Sequence, residues 1–263
     1  MAILVATPSL LLPGRAANAA EIVTLVAILV SLLSFVEYYT EYPSFVEFRD
    51  APPVNRMRFA ALFLMILVLS IISKHKIEPT NLTAMLFGIG SLIGQGLDFP
   101  YSPVRLVILM LPDTASAMTI DAVRIAAGVT YMIALITVVM FVFVVRVLGW
   151  PTSRGAFNVW INLPLFDPTA GGDVVFRLRR ESQINICLGV LLPFAIPAVV
   201  KFAANLIDPI TMNNPHTMIW AISAWAFLPA NMAMRGIAMM RIADLIEEKR
   251  RRTYANAEAI PTA

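Results

Sequence analysis

Apolar runs long enough to cross a lipid bilayer constrain this chain more than any other feature in it. A bilayer core takes about 20 helical residues, with a usual range of about 17–25. Ile22–Val36 and Phe59–Ser73 with their flanks, Ile125–Leu148 and Ile184–Ile207 meet that length. Met218–Met240 meets it too, with Asn231 and Arg235 inside. At that depth no water can satisfy the backbone, so amides must pair within the segment, and such runs fold as helices. Composition points the same way. Hydrophobic residues make up 59% and charged residues 14% of the 263, against about 45–50% and about 25% in soluble domains. The expectation is an all-α polytopic transmembrane helical bundle, one integral membrane domain over residues 1–263. A disordered chain, a coiled coil and a disulfide-stapled domain are excluded, since Cys187 is the single cysteine. The net charge of +3 comes from basic clusters beside apolar runs, which report topology rather than nucleic-acid binding.

The number of crossings turns on Leu82–Leu97. Its sixteen residues carry Gly88, Gly90, Gly94 and Gly96 and cover roughly 24 Å at 1.5 Å per residue. Read as a short span, this run gives six crossings; read as a re-entrant arm buried against protein, it gives five. Six is the expectation and five the alternative. Arg241, Lys249, Arg250, Arg251 and Arg252 follow the last span and argue for a cytoplasmic C-terminus, with residues 241–263 as a basic cytoplasmic tail. The same rule makes 149–183 a cytoplasmic interfacial loop and puts Asp208–His216, which has no Lys or Arg, outside. It does not choose between five and six spans. Five spans bring Arg49, Arg56 and Arg58 inside and send Arg15, Lys74 and Lys76 out, so the count is unchanged. Ala17-Asn18-Ala19 resembles a signal-peptidase site. However, no basic residue precedes the apolar stretch, and Pro8, Pro13 and Arg15 interrupt the pattern. Residues 1–19 therefore read as an interfacial leader.

Catalytic signatures are lacking. The sequence has no G-x-S-x-G, H-E-x-x-H or G-K-[ST] motif and no second thiol. With only His75 and His216, paired haem ligands are out of reach. A zinc site would need both histidines on one side, which only five spans allow. No metal and no cofactor are expected. Asp167–Asp173 lacks the lysine and the strand-to-helix context of a phosphate loop and reads as a surface turn.

Four features carry functional expectations. Gly90-x-x-x-Gly94 places two glycines on one helix face, where another backbone can come close. Glu37–Phe48 interleaves tyrosines and phenylalanines with carboxylates, read as an interfacial belt with an acidic, aromatic docking patch as the alternative. Ser34-Phe35-Val36-Glu37, which leads into it, recurs as Ser44-Phe45-Val46-Glu47. Pro193, Pro197 and Pro229 interrupt the last two spans, which also carry the basic residues Lys201 and Arg235 and the amide of Asn231. Kinked helices with snorkelling cations are the plain reading, and a polar conduit through those three residues is the other. In the 149–183 loop, Trp160 with Phe157, Leu163 and Phe166, then Arg177, Arg179 and Arg180, suit lipid headgroups or a protein partner. The resulting expectation is a non-catalytic accessory, assembly or structural subunit of a membrane complex in a bacterial inner membrane. Its partners would be lipids and other membrane subunits or a second copy. A small permease or channel for a polar or amphipathic solute is the alternative, and an intramembrane cofactor-dependent protein the third.

Overall fold

The computed structural model describes residues 1–12, 17–151, 158–167, 169, 171–204 and 212–258, without the side chains of 17–20, 160, 257 and 258. Its elements are α1 (Ala2–Leu11), α2 (Ala17–Tyr39), α3 (Val54–Lys74), α4 (Asn81–Leu97), α5 (Pro103–Leu109), α6 (Ala117–Arg146), α7 (Val159–Asn162), α8 (Val174–Ala203) and α9 (Pro215–Glu258). Among the described residues five helices are long and apolar enough to cross a membrane: α2, α3, α6, α8 and α9. The chain is a multi-pass membrane protein built as a helical bundle.

The six-span expectation is corrected to five, because two loops it placed on opposite sides touch. The Asp50 amide donates to Asn162 Oδ1 at 3.0 Å, and the Phe48 amide donates to the Asn162 carbonyl at 2.7 Å. The Trp150 indole N–H reaches the carbonyls of Ala51 and Pro52 at 3.2 and 3.1 Å. The α2–α3 loop and the α6–α8 loop therefore share one end of the bundle with the α9 extension, here called the tail end. At the far end Thr119 Oγ1 donates to Asn213 Oδ1 at 2.9 Å, joining the starts of α6 and α9. Helix α4 begins there, with Thr83 Oγ1 3.0 Å from His75 Nδ1, and it does not take the chain across. It packs mainly on α6, and Asp98, just beyond α4, accepts from Arg124 Nε of α6 at 2.8 Å. Gly90, Gly94 and Asp98 all meet α6 between Arg124 and Val129, a stretch of roughly 8 Å. So α4 packs obliquely on the far-end half of α6 and returns to the end it left.

Glycine decides how closely the helices approach. A Cβ on Gly94 would lie 2.9 Å from the Arg124 carbonyl oxygen, and one on Gly128 would lie 2.6 Å from the Gly94 Cα. The expected glycine face of α4 is thus matched by Gly128 on α6, inside the chain. A second close approach, unread in the sequence, joins α8 to α9. A Cβ on Gly189 would meet Ala233 and the Pro229 carbonyl, and one on Gly236 would meet the Ser182 carbonyl at 2.7 Å. Ser182 Oγ donates to the Gly236 carbonyl at 2.7 Å across the same seam.

Proline shapes α8 by what it fails to donate. Pro197 has no N–H, so the carbonyl four residues earlier, that of Pro193, loses its helical partner. The indole N–H of Trp225 on α9 donates to that carbonyl at 3.1 Å. An acceptor stranded at membrane depth becomes an interhelical tie.

Two apolar cores fill the bundle. One joins α1, α3, α6 and α9 around Met65, Ile66, Leu69, Val129, Ile222 and Trp225. Leu4 and Leu12 lie within it, so α1 packs into the bundle rather than lying at the interface as a leader. The side chains of Ala17–Ala19 lie outside the described residues. The other core, at the tail end, gathers Phe48, Phe141, Trp150, Leu163, Phe166, Leu178 and Met239. The 149–183 loop therefore places Leu163 and Phe166 against its own protein. Its last ten residues already belong to α8, where Asp173 caps the helix by accepting from the Val175 amide at 3.2 Å. The basic tail is helical as well, since α9 runs 44 residues to Glu258, roughly 66 Å, well beyond a bilayer core.

Candidate functional site: a charged cleft at the tail end

Glu47 is the pivot of this site. Its carboxylate is buried, with 7% exposure, at the end of a loop whose backbone is held from both sides. Glu37, in the last turn of α2, accepts from the amides of Ser44, Phe45 and Val46 at 2.9–3.1 Å. The carboxylate of the first Ser-Phe-Val-Glu copy thus grips the backbone of the second. This places Glu37 in an internal joint rather than in an acidic docking patch, while Tyr39 and Tyr42 remain exposed. Next to Glu47, Phe48 takes a left-handed backbone (φ +56°), which costs an ordinary L-residue roughly 1–2 kcal/mol. Complete burial of its ring and the 2.7 Å bond to Asn162 hold it there.

Arg235, next to Gly236 of the α8–α9 seam, answers Glu47. Its Nε lies 2.8 and 3.0 Å from the two Glu47 oxygens, and its Nη2 lies 3.4 Å from Glu181 Oε2 on α8. A loop, α8 and α9 are thereby locked by one guanidinium. Arg58, one turn into α3, sits beside this triad. Its guanidinium stacks 5.4 Å from the Phe48 ring, and its Nη1 donates to Asn55 Oδ1 at 3.4 Å. Its Nε is buried without a hydrogen-bond partner, and so is Asn231 Oδ1. Both residues line a cleft of about 760 Å³ between α2 on one side and α3 and α9 on the other.

The three residues of the expected conduit are not brought together. Asn231 and Arg235 line the cleft at the tail end. Lys201 lies at the far end, where its Nζ donates to the Leu111 carbonyl at 3.2 Å and to Asp113 at 3.3 Å. Between the two ends stand Ile66, Leu69, Ile222 and Trp225, all buried in the apolar core. Asp208, a conceivable partner for Lys201, lies outside the described residues, as do Arg154 and Phe157.

The basic residues expected at lipid headgroups divide. Arg179 binds Asp244 at 3.2 Å and also Glu247, tying α8 to the α9 extension. Arg177 stacks on the Phe166 ring at 4.9 Å. Arg180 is exposed, and the Trp160 side chain lies outside the described residues. Outside the spans, Asp173 is held below the usual carboxylate range, first by the hydrogen bond from Arg250 and then by the Val175 amide. At the far end a buried carboxylate, Asp98, meets two arginines. Arg124 donates to one oxygen at 2.8 Å, and Arg105 approaches the other at 2.8 Å as an ion pair without hydrogen-bond alignment. Among the described residues no group of three or more His, Cys, Asp or Glu side chains converges as a metal site.

Sequence reasoning missed Glu47, Glu181 and Arg58 as members of one site. The signal was present but divided: an arginine four residues into one span, another inside the last, and a carboxylate in a loop. Their grouping requires the α2–α3 loop to share an end with the C-terminal tail, the choice that counting charges leaves open. No family model, curated protein or solved structure matches the chain.

Proposed function

We propose that this chain is a non-catalytic accessory or structural subunit of a membrane complex, in a bacterial inner membrane with the C-terminus cytoplasmic. The observation that carries this reading is the use made of its charges near the membrane. Arg235 with Glu47 and Glu181, Arg124 with Asp98, and Lys201 with Asp113 each close a joint between segments of the bundle. Charges arranged that way fix the relative positions of helices and present a rigid scaffold to neighbours in the bilayer. The basic residues of the C-terminal half gather at the tail end, which supports a cytoplasmic placement. The distance between Lys201 and the Asn231–Arg235 pair, with an apolar core between them, weighs against the permease alternative.

Extraction in mild detergent tests the proposal. The expected result is co-purification of the 28.9 kDa chain with partner subunits, or a second copy, in a fixed ratio that survives dilution. Recovery of a lone monomer from native membranes, together with solute flux after reconstitution into proteoliposomes, would overturn it in favour of the permease.

A further inference from the structure

The cleft at the tail end goes beyond a scaffold role, because two side chains on its lining, Arg58 and Asn231, carry polar atoms that the protein itself leaves unanswered. Arg58 Nε is a buried donor without an acceptor, and Asn231 Oδ1 is a buried acceptor without a donor. A buried polar group left unpaired is destabilising, and more so when charged, so a ligand whose entry lets both side chains pair is favoured. We propose that this cleft binds one anionic glycerophospholipid, its phosphate on Arg58 and a headgroup hydroxyl on Asn231.

Three observations choose that ligand class. The first is charge. The charged side chains lining the cleft are Arg56, Arg58, Arg235 and Glu47, and Glu47 is already engaged by Arg235. The remaining balance is positive, which favours a net anionic headgroup over a zwitterionic one. The second is the gradation of polarity along the helices. On α3 the wall passes from Asn55 and Arg58 to Leu62, and on α9 from Arg235 and Asn231 to Phe227. Eight residues separate Arg235 from Phe227, roughly 12 Å of rise. The polar end lies at the tail end, where headgroups reside, and the apolar end points into the bilayer. A lipid has the same order of parts in the same orientation. The third is access. Helix α2 packs on α1 but makes no comparable contact with α3 or α9, so the cleft opens sideways between helices. Tyr38, Phe45 and Phe59 on its lining are exposed. A volume of about 760 Å³ accepts a headgroup, the glycerol and the first part of the acyl chains.

The test uses the full chain in nanodiscs of phosphatidylcholine containing one-quarter phosphatidylglycerol, with retained lipid read by native mass spectrometry. The expected result is one retained lipid, with phosphatidylglycerol favoured about tenfold over its share of the bilayer. Arg58→Gln should reduce that preference about tenfold and Asn231→Leu several-fold, while Lys76→Gln, an exposed cation at the far end of the bundle and outside the cleft, leaves it unchanged. A second measurement needs no variant. A phosphatidylglycerol carrying a diazirine in its acyl chain should label wild-type peptides that contain Leu62 or Phe227. Equal retention of the two lipids, an undiminished preference in folded Arg58→Gln, or labelling confined to other helices would overturn the proposal. These outcomes are independent of whether a partner subunit co-purifies.

Discussion

Helix α4 carries four glycines that differ only in what faces them, and that difference predicts a measurable split. At Gly94 an added methyl would sit 2.9 Å from the Arg124 carbonyl oxygen and 3.1 Å from the Ile125 Cα. These are backbone atoms and cannot rotate away. Carbon contacts are comfortable at about 3.5–4.0 Å, so α4 and α6 would have to part by roughly half an ångström along their seam. Overpacking of this kind costs about 1–3 kcal/mol. At Gly88 and Gly96 the same methyl meets nothing within 4 Å, and alanine in a helix is favoured over glycine by about 0.8–1.0 kcal/mol. Both variants gain that helix preference, so Gly94→Ala and Gly96→Ala should differ by the overpacking cost alone, about 1–3 kcal/mol in unfolding free energy. Gly90→Ala falls between them, because its neighbours are the side-chain carbons of Ile125 and Ile72 at 3.0 and 3.1 Å, which can shift. The assay is reversible unfolding in mixed micelles, titrated with dodecyl sulfate and followed by helical circular dichroism. Equal stability of Gly94→Ala and Gly96→Ala would refute the claim that α4 is seated on α6 by backbone contact.

Other perturbations probe the tail end. Arg235→Gln leaves the buried Glu47 carboxylate without its main partner and should cost about 3 kcal/mol or more, read in the same unfolding assay. Adding Glu47→Gln should restore part of that loss, and an unchanged loss in the double variant would count against the pair. Asp173 has a depressed folded-state pKa, so its contribution is present above its unfolded value of about 3.9 and is lost as pH falls through the lower folded value. The α8 cap and the tie to Arg250 should loosen in that acidic window, seen as increased hydrogen exchange at Val175. In Asp173→Ala, which removes the capping oxygen, the exchange should be raised already at neutral pH. In a Cys187→Ser background, cysteines at Lys76 and Asn213 should react with an impermeant thiol reagent from one side of the membrane. Cysteines at Arg180 and Ala255 should react only from the other. Lys76 labelling together with Ala255 would restore the six-span path.

The amino-acid sequence by itself determined the class of fold, the membrane setting and most of the crossing helices, because each depends on local properties. Hydropathy over about twenty residues decides whether a segment enters the bilayer, and the backbone's need for internal hydrogen bonds makes it helical. The glycine spacing in α4 was legible for the same reason, as a face of one helix. What the sequence could not decide is where distant segments meet. The number of crossings rested on a tie between two sets of three basic residues, and contacts between Asp50 and Asn162 and between Trp150 and Ala51 broke it. Glu47 and Arg235 stand 188 positions apart, and nothing near either one announces the other. Loop residues such as Leu163 and Phe166 read as lipid- or partner-facing, because their apolar character shows only that they avoid water. Tertiary packing supplied the surface that covers them, and the same packing, by holding α2 away from α3 and α9, created the cleft.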